Sequence, residues 1–165
     1  MIIFWGALNG RGESIVAQSL AKNLIHLVFS TSKREPVPAE AVRAALCAYA
    51  AGVLRGLDSP AIAISAWRDH LHVLFSLNKN QPLAQVVMEL KRATSKWLKT
   101  KGAEFANFHW QAGYGAFSIG QSGVEEARAY IANQPEHHRR KTFQEELRAL
   151  LKLYALEFDE RHLWD

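Results

Sequence analysis

Apolar residues recur along the chain with two different periods, and each period predicts a different kind of element. A period of two, typical of strands, runs through residues 24–30 and 69–75. Residues 61–67 are apolar almost throughout, as in a strand that is covered on both faces. Residues 109–119 indicate a further strand, loosened by Gly113 and Gly115. The sequence therefore predicts four strands.

A period close to that of an α-helix predicts four helices between and after these strands. The first is expected from about Pro38 to Leu54, and the second over residues 83–99. Two more follow in the C-terminal third of the chain, where apolar residues again recur three and four positions apart.

Two capping-box patterns predict where the last two helices begin. Ser122 with Glu125, and Thr142 with Glu145, have the spacing in which a hydroxyl and a carboxylate satisfy each other's backbone donors. Pro135 has no amide donor and disfavours helical geometry in the residue before it. The third predicted helix should therefore stop or kink at Pro135.

The predicted order of elements is β, α, β, β, α, β, α, α, and it determines the expected fold. Arg68 and Asp69 suit a two-residue hairpin between the two middle strands. Helices that alternate with strands in this way favour an α+β fold. We expect a ferredoxin-like sandwich with a mostly antiparallel sheet and helices on one face, plus a tyrosine-bearing helix and a C-terminal helix.

The 165 residues are expected to form one folded domain over residues 18–165. Residues 1–17 have no clear period and contain three glycines, so a poorly ordered N-terminal extension is expected there. Cys47 is the only cysteine, which excludes an internal disulfide and fits a reducing compartment. The start lacks a basic leader and a long apolar run, so we expect a cytoplasmic protein without a membrane partner.

The formal net charge of +4 is modest, but the basic side chains are clustered. One cluster lies along a side of the second predicted helix and consists of Lys91, Arg92, Lys96 and Lys99. A second basic run spans residues 137–141. Such clusters favour a polyanionic partner, although a solvated helix face produces the same pattern.

The third predicted strand places His70 and His72 on one face and Leu71 and Val73 on the other, because side chains alternate along a strand. Two neighbouring imidazoles can ligate one divalent ion, as imidazole does for several first-row metals. A hydrogen-bonded polar face would have the same spacing. His26 shares the corresponding face of the first strand, where it either approaches this pair or has a structural role.

Tyr130 and Gln134 lie four residues apart, on the same side of the third predicted helix. A metal held by His70 and His72 needs a further ligand, which the Gln134 carbonyl oxygen can supply. The Tyr130 hydroxyl would then lie near whatever the ion polarises, and a tyrosine hydroxyl can act as a covalent nucleophile. A free phenol has a pKa of about 10, so it depends on a cation at the phosphate under attack. The alternative is an aromatic residue at the rim of an interface.

Four motifs occur together in the chain. They are Asp69-His70-Leu71-His72, the strand from Trp110 to Phe117, the segment from Tyr130 to His138, and Glu157-Phe158-Asp159-Glu160. Together they resemble the small single-tyrosine transposases of the TnpA type, which belong to the HUH nucleases and include insertion-sequence-200/605-like and REP-associated members. The resemblance covers roughly residues 18–165.

The resemblance implies a set of catalytic roles. In that family two histidines bind a divalent ion, usually magnesium or manganese, and a helix tyrosine attacks single-stranded DNA. Carried across by motif, His70, His72 and Gln134 become metal ligands and Tyr130 the nucleophile. The product would be a 5′-phosphotyrosine link and a free 3′-hydroxyl, so that a second strand could rejoin the DNA without ATP.

The resemblance also implies partners. Family members act as homodimers on DNA hairpins at element ends, and active sites can be shared between the two protomers. The residues expected to contact the DNA backbone are Lys91, Arg92, Lys96 and Lys99. We therefore predict a metal-dependent DNA transposase.

Two other functions fit parts of the sequence. A nucleic-acid-binding regulator could keep the fold and the basic helix without cleaving DNA. A zinc hydrolase could use His70 and His72, but no carboxylate ligand set accompanies them in the sequence, which disfavours this reading.

Overall fold

A computed structural model describes residues 18–37, 40–139, 141–161 and 163–164. The predicted N-terminal extension, residues 1–17, lies outside the described residues. Among the helices that are described, none has both the length and the apolarity needed to cross a membrane.

The helices and strands follow the predicted order. They are β1 (Asn23–Ser30), α1 (Glu40–Gly56), β2 (Ala61–Ala66), β3 (His70–Leu77), α2 (Leu83–Lys99), β4 (Gly115–Ile119), α3 (Val124–Ala132), α4 (Gln134–His137) and α5 (Phe143–Leu153). Short 3₁₀ turns cover Ser32–Arg34, Ala103–Phe105 and Gln121–Gly123. The one-turn helix α4 is the only α-helix in the described chain that the sequence did not predict separately.

The four strands form one antiparallel sheet in the order β2-β3-β1-β4. This confirms the predicted α+β class and ferredoxin-like arrangement. The Trp67 amide donates to the His70 carbonyl at 3.0 Å and closes the predicted two-residue turn through Arg68 and Asp69. β2 is half-buried along its whole length rather than fully covered, because it is an edge strand.

The main hydrophobic core lies between one face of the sheet and helices α1 and α2. Leu71, Val73 and Phe75 of β3 point into it, and all three are 0% exposed. Helix α2 contributes a stripe with helical spacing, formed by Val86, Val87, Leu90 and Leu98. Because side chains alternate along β3, burial of this apolar set turns His70 and His72 to the opposite face.

Helices α3 and α5 cover the opposite face of the sheet. Leu24 and Leu74 pack against Val124 and Ile131 of α3. A separate cluster joins β1 and β4 to α5 and consists of Val28, Phe117, Phe143, Leu147 and Leu151. The space between these two clusters, above β1 and β3, is where the second face carries its polar side chains.

β4 is shorter than the strand predicted over residues 109–119. It begins at Gly115, and Trp110 forms only an isolated bridge with Thr31. The Lys91 ammonium explains the difference, because it takes the carbonyls of residues 111, 112 and 113 as acceptors at 2.8, 3.1 and 2.7 Å. These carbonyls face α2 instead of a neighbouring strand.

Of the two predicted capping boxes, only the second forms. Thr142 Oγ1 accepts the Glu145 amide at 3.3 Å, and Glu145 Oε2 accepts the Thr142 amide at 2.8 Å. The box at Ser122 is wrong: α3 has Gly123 as its N-cap and no side-chain cap bond. The chain enters α3 through the Gln121–Gly123 turn, which places Ser122 inside that turn rather than at the cap.

The predicted interruption at Pro135 is confirmed. Helix α3 ends at Ala132, and α4 begins at Gln134 with Pro135 in its first turn. Pro135 is tolerated there because the first amides of a helix have no intrahelical acceptor.

The two capping patterns give a matched test of stability. We expect Thr142→Ala to lower the free energy of unfolding by about 1 kcal/mol, because it removes a formed cap. Ser122→Ala should leave it unchanged within about 0.5 kcal/mol, as for an ordinary surface substitution. Urea denaturation of both variants measures the difference. Equal losses would contradict the assignment of the two helix starts.

Candidate active site

His70 and His72 form the base of the site. They lie on β3, on the face away from the main core, and are 1% and 0% exposed. Their ring centroids are 5.1 Å apart. Both imidazoles therefore lie on one face of the sheet, as predicted.

Glu146 completes this group from α5. Its Oε2 lies 3.4 Å from His72 Nε2 and 3.8 Å from His70 Nε2. The ligand atoms of the three residues all lie within 4.8 Å of one another. No carboxylate ligand set accompanies the two histidines in the sequence, and the packing of α5 supplies a carboxylate from a distant part of the chain.

A signal for Glu146 was present in the sequence. It lies on the apolar stripe of α5, between Phe143 and Leu147, and is itself 2% exposed. An acidic residue on the buried side of an amphipathic helix is rarely tolerated without a partner. The sequence pattern thus marks Glu146 as unusual but does not identify what it meets.

Tyr130 and Gln134 reach the other oxygen of the same carboxylate. The Tyr130 hydroxyl donates to Glu146 Oε1, and Gln134 Nε2 donates to it at 2.8 Å. Gln134 is fully buried, whereas Tyr130 is half-buried. The structure thus brings together all four residues predicted for catalysis and metal binding, with Glu146 between them.

Three buried atoms of the site have no hydrogen-bond partner. They are His72 Nε2, Gln134 Oε1 and Glu146 Oε2. Leaving such an atom unpaired costs about 1–3 kcal/mol. The two oxygens carry lone pairs, as does Nε2 in the His72 tautomer that is protonated at Nδ1. Imidazole nitrogen with carboxylate and amide oxygen is a donor set that suits divalent first-row metals. The residues therefore fit a metal ion.

His138 adds a second imidazole pair to the site. His70 Nδ1 lies 2.8 Å from Asp69 Oδ1, and His138 Nδ1 lies 3.0 Å from the Lys141 carbonyl. A carboxylate and a carbonyl only accept, so each Nδ1 carries the proton. The two Nε2 atoms, 2.9 Å apart, then face each other with lone pairs unless a proton or a metal ion lies between them.

His26 fixes the orientation of His72. Its Nε2 lies 2.9 Å from His72 Nδ1, and the His26 ring is 3% exposed. Burial, with the neighbouring His72, lowers the pKa of His26 to about 3, so this ring is neutral near pH 7. Of the two roles left open for His26, the approach to the pair is therefore seen, and it turns His72 Nε2 toward Glu146.

The protonation states follow from burial and from Glu146. Burial lowers the pKa of His72 to about 4 despite the nearby carboxylate, so this ring is neutral near pH 7 and one of its two nitrogens carries a lone pair. Burial alone would raise the pKa of Glu146, but the adjacent His138 and His72 hold it well below its usual range. Burial and the Glu146 carboxylate together raise the pKa of Tyr130. At neutral pH the site contains a carboxylate beside a neutral phenol.

The basic stripe proposed to contact DNA lies elsewhere. Helix α2 packs on the main core, so the stripe is on the other side of the sheet from His70 and His72. Lys91 is occupied, since its three carbonyl acceptors account for all of its N–H donors, and burial lowers its pKa to about 8. Arg92, Lys96 and Lys99 remain exposed.

Solved structures share this fold. One is a protein of Deinococcus radiodurans R1 described as a candidate transposase, with a TM-score of 0.57 and 18% identity over 73% of this chain and 96% of that chain. Another is a REP-associated tyrosine transposase bound to a REP hairpin, with a TM-score of 0.55 and 15% identity over 76% of this chain and 74% of that chain. No curated protein matches the chain significantly.

A family profile described as "Transposase IS200 like" matches residues 19–134. The matched segment includes His70, His72, Tyr130 and Gln134 and ends before Glu146. It spans well over half of the chain. The sequence and the fold agree, and the chain belongs to the IS200-like transposase family.

Proposed function

We propose that this chain is a metal-dependent transposase that cuts and rejoins single-stranded DNA at hairpin-bearing element ends. One observation carries the proposal: the Tyr130 hydroxyl and the two strand histidines meet at opposite oxygens of Glu146. A nucleophile and a metal-ligand group are thereby within reach of the same phosphate. Membership of the IS200-like family supports the reaction class.

We propose that His70, His72 and Glu146 hold a divalent ion, magnesium or manganese. Gln134 offers its unpaired Oε1 as a further ligand. When bound, the ion would draw charge from the phosphoryl oxygens and fix the line of attack. Imidazole ligands suit manganese better than magnesium, which prefers oxygen.

In the proposed reaction Tyr130 Oη attacks the phosphorus while the bond from phosphorus to the 3′-oxygen breaks. The 5′-phosphate remains on Tyr130, and the departing 3′-oxygen takes a proton from water. Glu146 Oε1 already accepts a hydrogen bond from the Tyr130 hydroxyl and would take the proton that the phenol loses. A 3′-hydroxyl from a second strand reverses the step, so rejoining needs no ATP.

We propose hairpin-bearing single-stranded DNA as the substrate and a homodimer as the working assembly. The structural relative bound to a REP hairpin supports the first point for this family of folds. Arg92, Lys96 and Lys99 offer an exposed basic surface for the backbone of a duplex stem. Tyr130 reaches Glu146 of its own chain, so an active site shared between protomers is not required by this geometry.

The nucleophile can be tested directly. Native protein incubated with a hairpin oligonucleotide and Mn²⁺ should form a covalent adduct on a denaturing gel. Tyr130→Phe should abolish the adduct, because phenylalanine has no hydroxyl oxygen to join to phosphorus, while hairpin binding persists. Tyr49→Phe, on α1, is the matched control and should behave as native. An undiminished adduct from Tyr130→Phe would reject the assignment, and hairpin binding without any adduct would favour the non-cleaving regulator.

The metal site can be tested by binding alone. Glu146→Gln and His72→Ala should each weaken Mn²⁺ binding at least about tenfold, or ~1.4 kcal/mol, in isothermal titration calorimetry. Glu125→Gln, an exposed position on α3, should leave it unchanged. Thermal melts in EDTA identify variants that have lost the fold. Native-like Mn²⁺ affinity in a folded Glu146→Gln protein would remove Glu146 from the ligand set.

Mixing two inactive variants tests where each site is assembled. If each protomer uses its own tyrosine, Tyr130→Phe mixed with His72→Ala should form no more adduct than either protein alone. Recovery of a substantial fraction of native activity would instead indicate shared active sites. Co-expressed, differently tagged chains ensure that mixed dimers are present.

A further inference from the structure

A cleft of about 510 Å³ opens beside the histidines, and its lining includes none of the groups assigned to catalysis or metal binding, which are His70, His72, Tyr130, Gln134 and Glu146. Asp69 and His138 line the cleft, and both contact His70, at 2.8 and 2.9 Å. A molecule bound in the cleft would therefore lie next to the metal-ligand group. The volume is within the range of about 300–1,000 Å³ that ligand clefts have.

The cleft is rich in positive charge. Its basic side chains come from three separate loops and are Arg34, Arg68, Arg139 and Lys141. Two acidic residues also line it, and both already accept hydrogen bonds: Asp69 from His70, and Glu145 from Thr142. Arg139 pairs with Glu136 at 3.1 Å on the exposed rim. The balance of charge favours an anionic ligand.

The loop that carries Arg34 has an unusual backbone. Lys33 and Arg34 have φ angles of 52° and 56°, in the left-handed region that residues other than glycine rarely adopt. The Arg34 amide donates to the Thr31 carbonyl at 3.0 Å and helps to hold this turn. Such conformations persist where the surrounding structure enforces them, often at functional sites.

The position of the cleft distinguishes it from the stripe on α2. A strand whose phosphate lies at Tyr130 must continue on the same side of the sheet. The cleft is on that side, whereas Arg92 and Lys96 are on the other. The α2 stripe can therefore contact a duplex stem, but it cannot hold the nucleotides next to the cleaved bond.

We propose that this cleft binds the unpaired nucleotides next to the phosphate that Tyr130 attacks. Its four basic side chains would contact successive phosphates, which positions the strand without reading its sequence. The inference rests on the proposed function, because it takes single-stranded DNA as the substrate.

The test uses binding without cleavage. In EDTA, fluorescence anisotropy compares a labelled hairpin oligonucleotide that has an unpaired tail with the same hairpin lacking it. The tail should strengthen binding to the native protein. Arg68→Ala/Lys141→Ala should lose about tenfold in affinity for the tailed probe, and its salt slope should fall by about 1.4, because each single-strand phosphate contact contributes about 0.7. The tailless hairpin should bind as before.

Two control proteins make the result specific. Arg55→Ala/Lys152→Ala removes the same charge from exposed sites away from the cleft and should bind the tailed probe within about twofold of native, as surface substitutions elsewhere do. Arg68→Lys/Lys141→Arg keeps the charge and should retain most of the affinity. A tail that adds nothing, or equal tail affinity in native and Arg68→Ala/Lys141→Ala proteins, would overturn the proposal.

The outcome is separable from that of the proposed function. Absence of a covalent adduct from native protein with metal would reject the cleavage reaction. The binding of the unpaired tail, measured in EDTA, would still decide whether the cleft holds single-stranded DNA. Conversely, an adduct formed normally by Arg68→Ala/Lys141→Ala at low DNA concentration would count against the cleft while the transposase assignment stands.

Discussion

The second face of the sheet depends on a buried carboxylate that must be compensated. Glu146 is 2% exposed, and it is surrounded by the rings of His70, His72 and His138 and by the donors of Tyr130 and Gln134. Because an uncompensated buried charge is very costly, these contacts hold α5 against β3 and bring the α3–α4 segment to the same point. The interaction that orders this side of the protein is also the one that assembles its chemical groups.

The two faces of β3 have different roles, one in the hydrophobic core and the other in the candidate active site. The odd-numbered apolar residues of β3 belong to the core under α1 and α2, and the even-numbered histidines belong to the site. Each face also has its own basic surface, the α2 stripe on the core side and the cleft on the histidine side. The proposed substrate, a hairpin with an unpaired tail, also has two chemically different parts, which these two separate surfaces would match.

Local patterns predicted the elements well, and long-range packing decided the rest. The alternation around His70 and His72 and the Thr142 capping box depend on neighbours in the chain, so the sequence reveals them. The Ser122 box was wrong because a 3₁₀ turn uses the same residues, and β4 was predicted too long because Lys91 binds three of its carbonyls from another helix. Glu146 was missed because the two strand histidines that it meets, His70 and His72, are far away in the chain.

The alternation along β3 has a consequence for misfolding. A slip of one residue in the pairing of β1 with β3 would turn both imidazoles into the main hydrophobic core and move the apolar side chains into the polar site beneath α3 and α5. A chain with that error would lose its stability and its reactive centre together. A misregistered copy of the chain would therefore be an unstable protein rather than a stable one with an altered site.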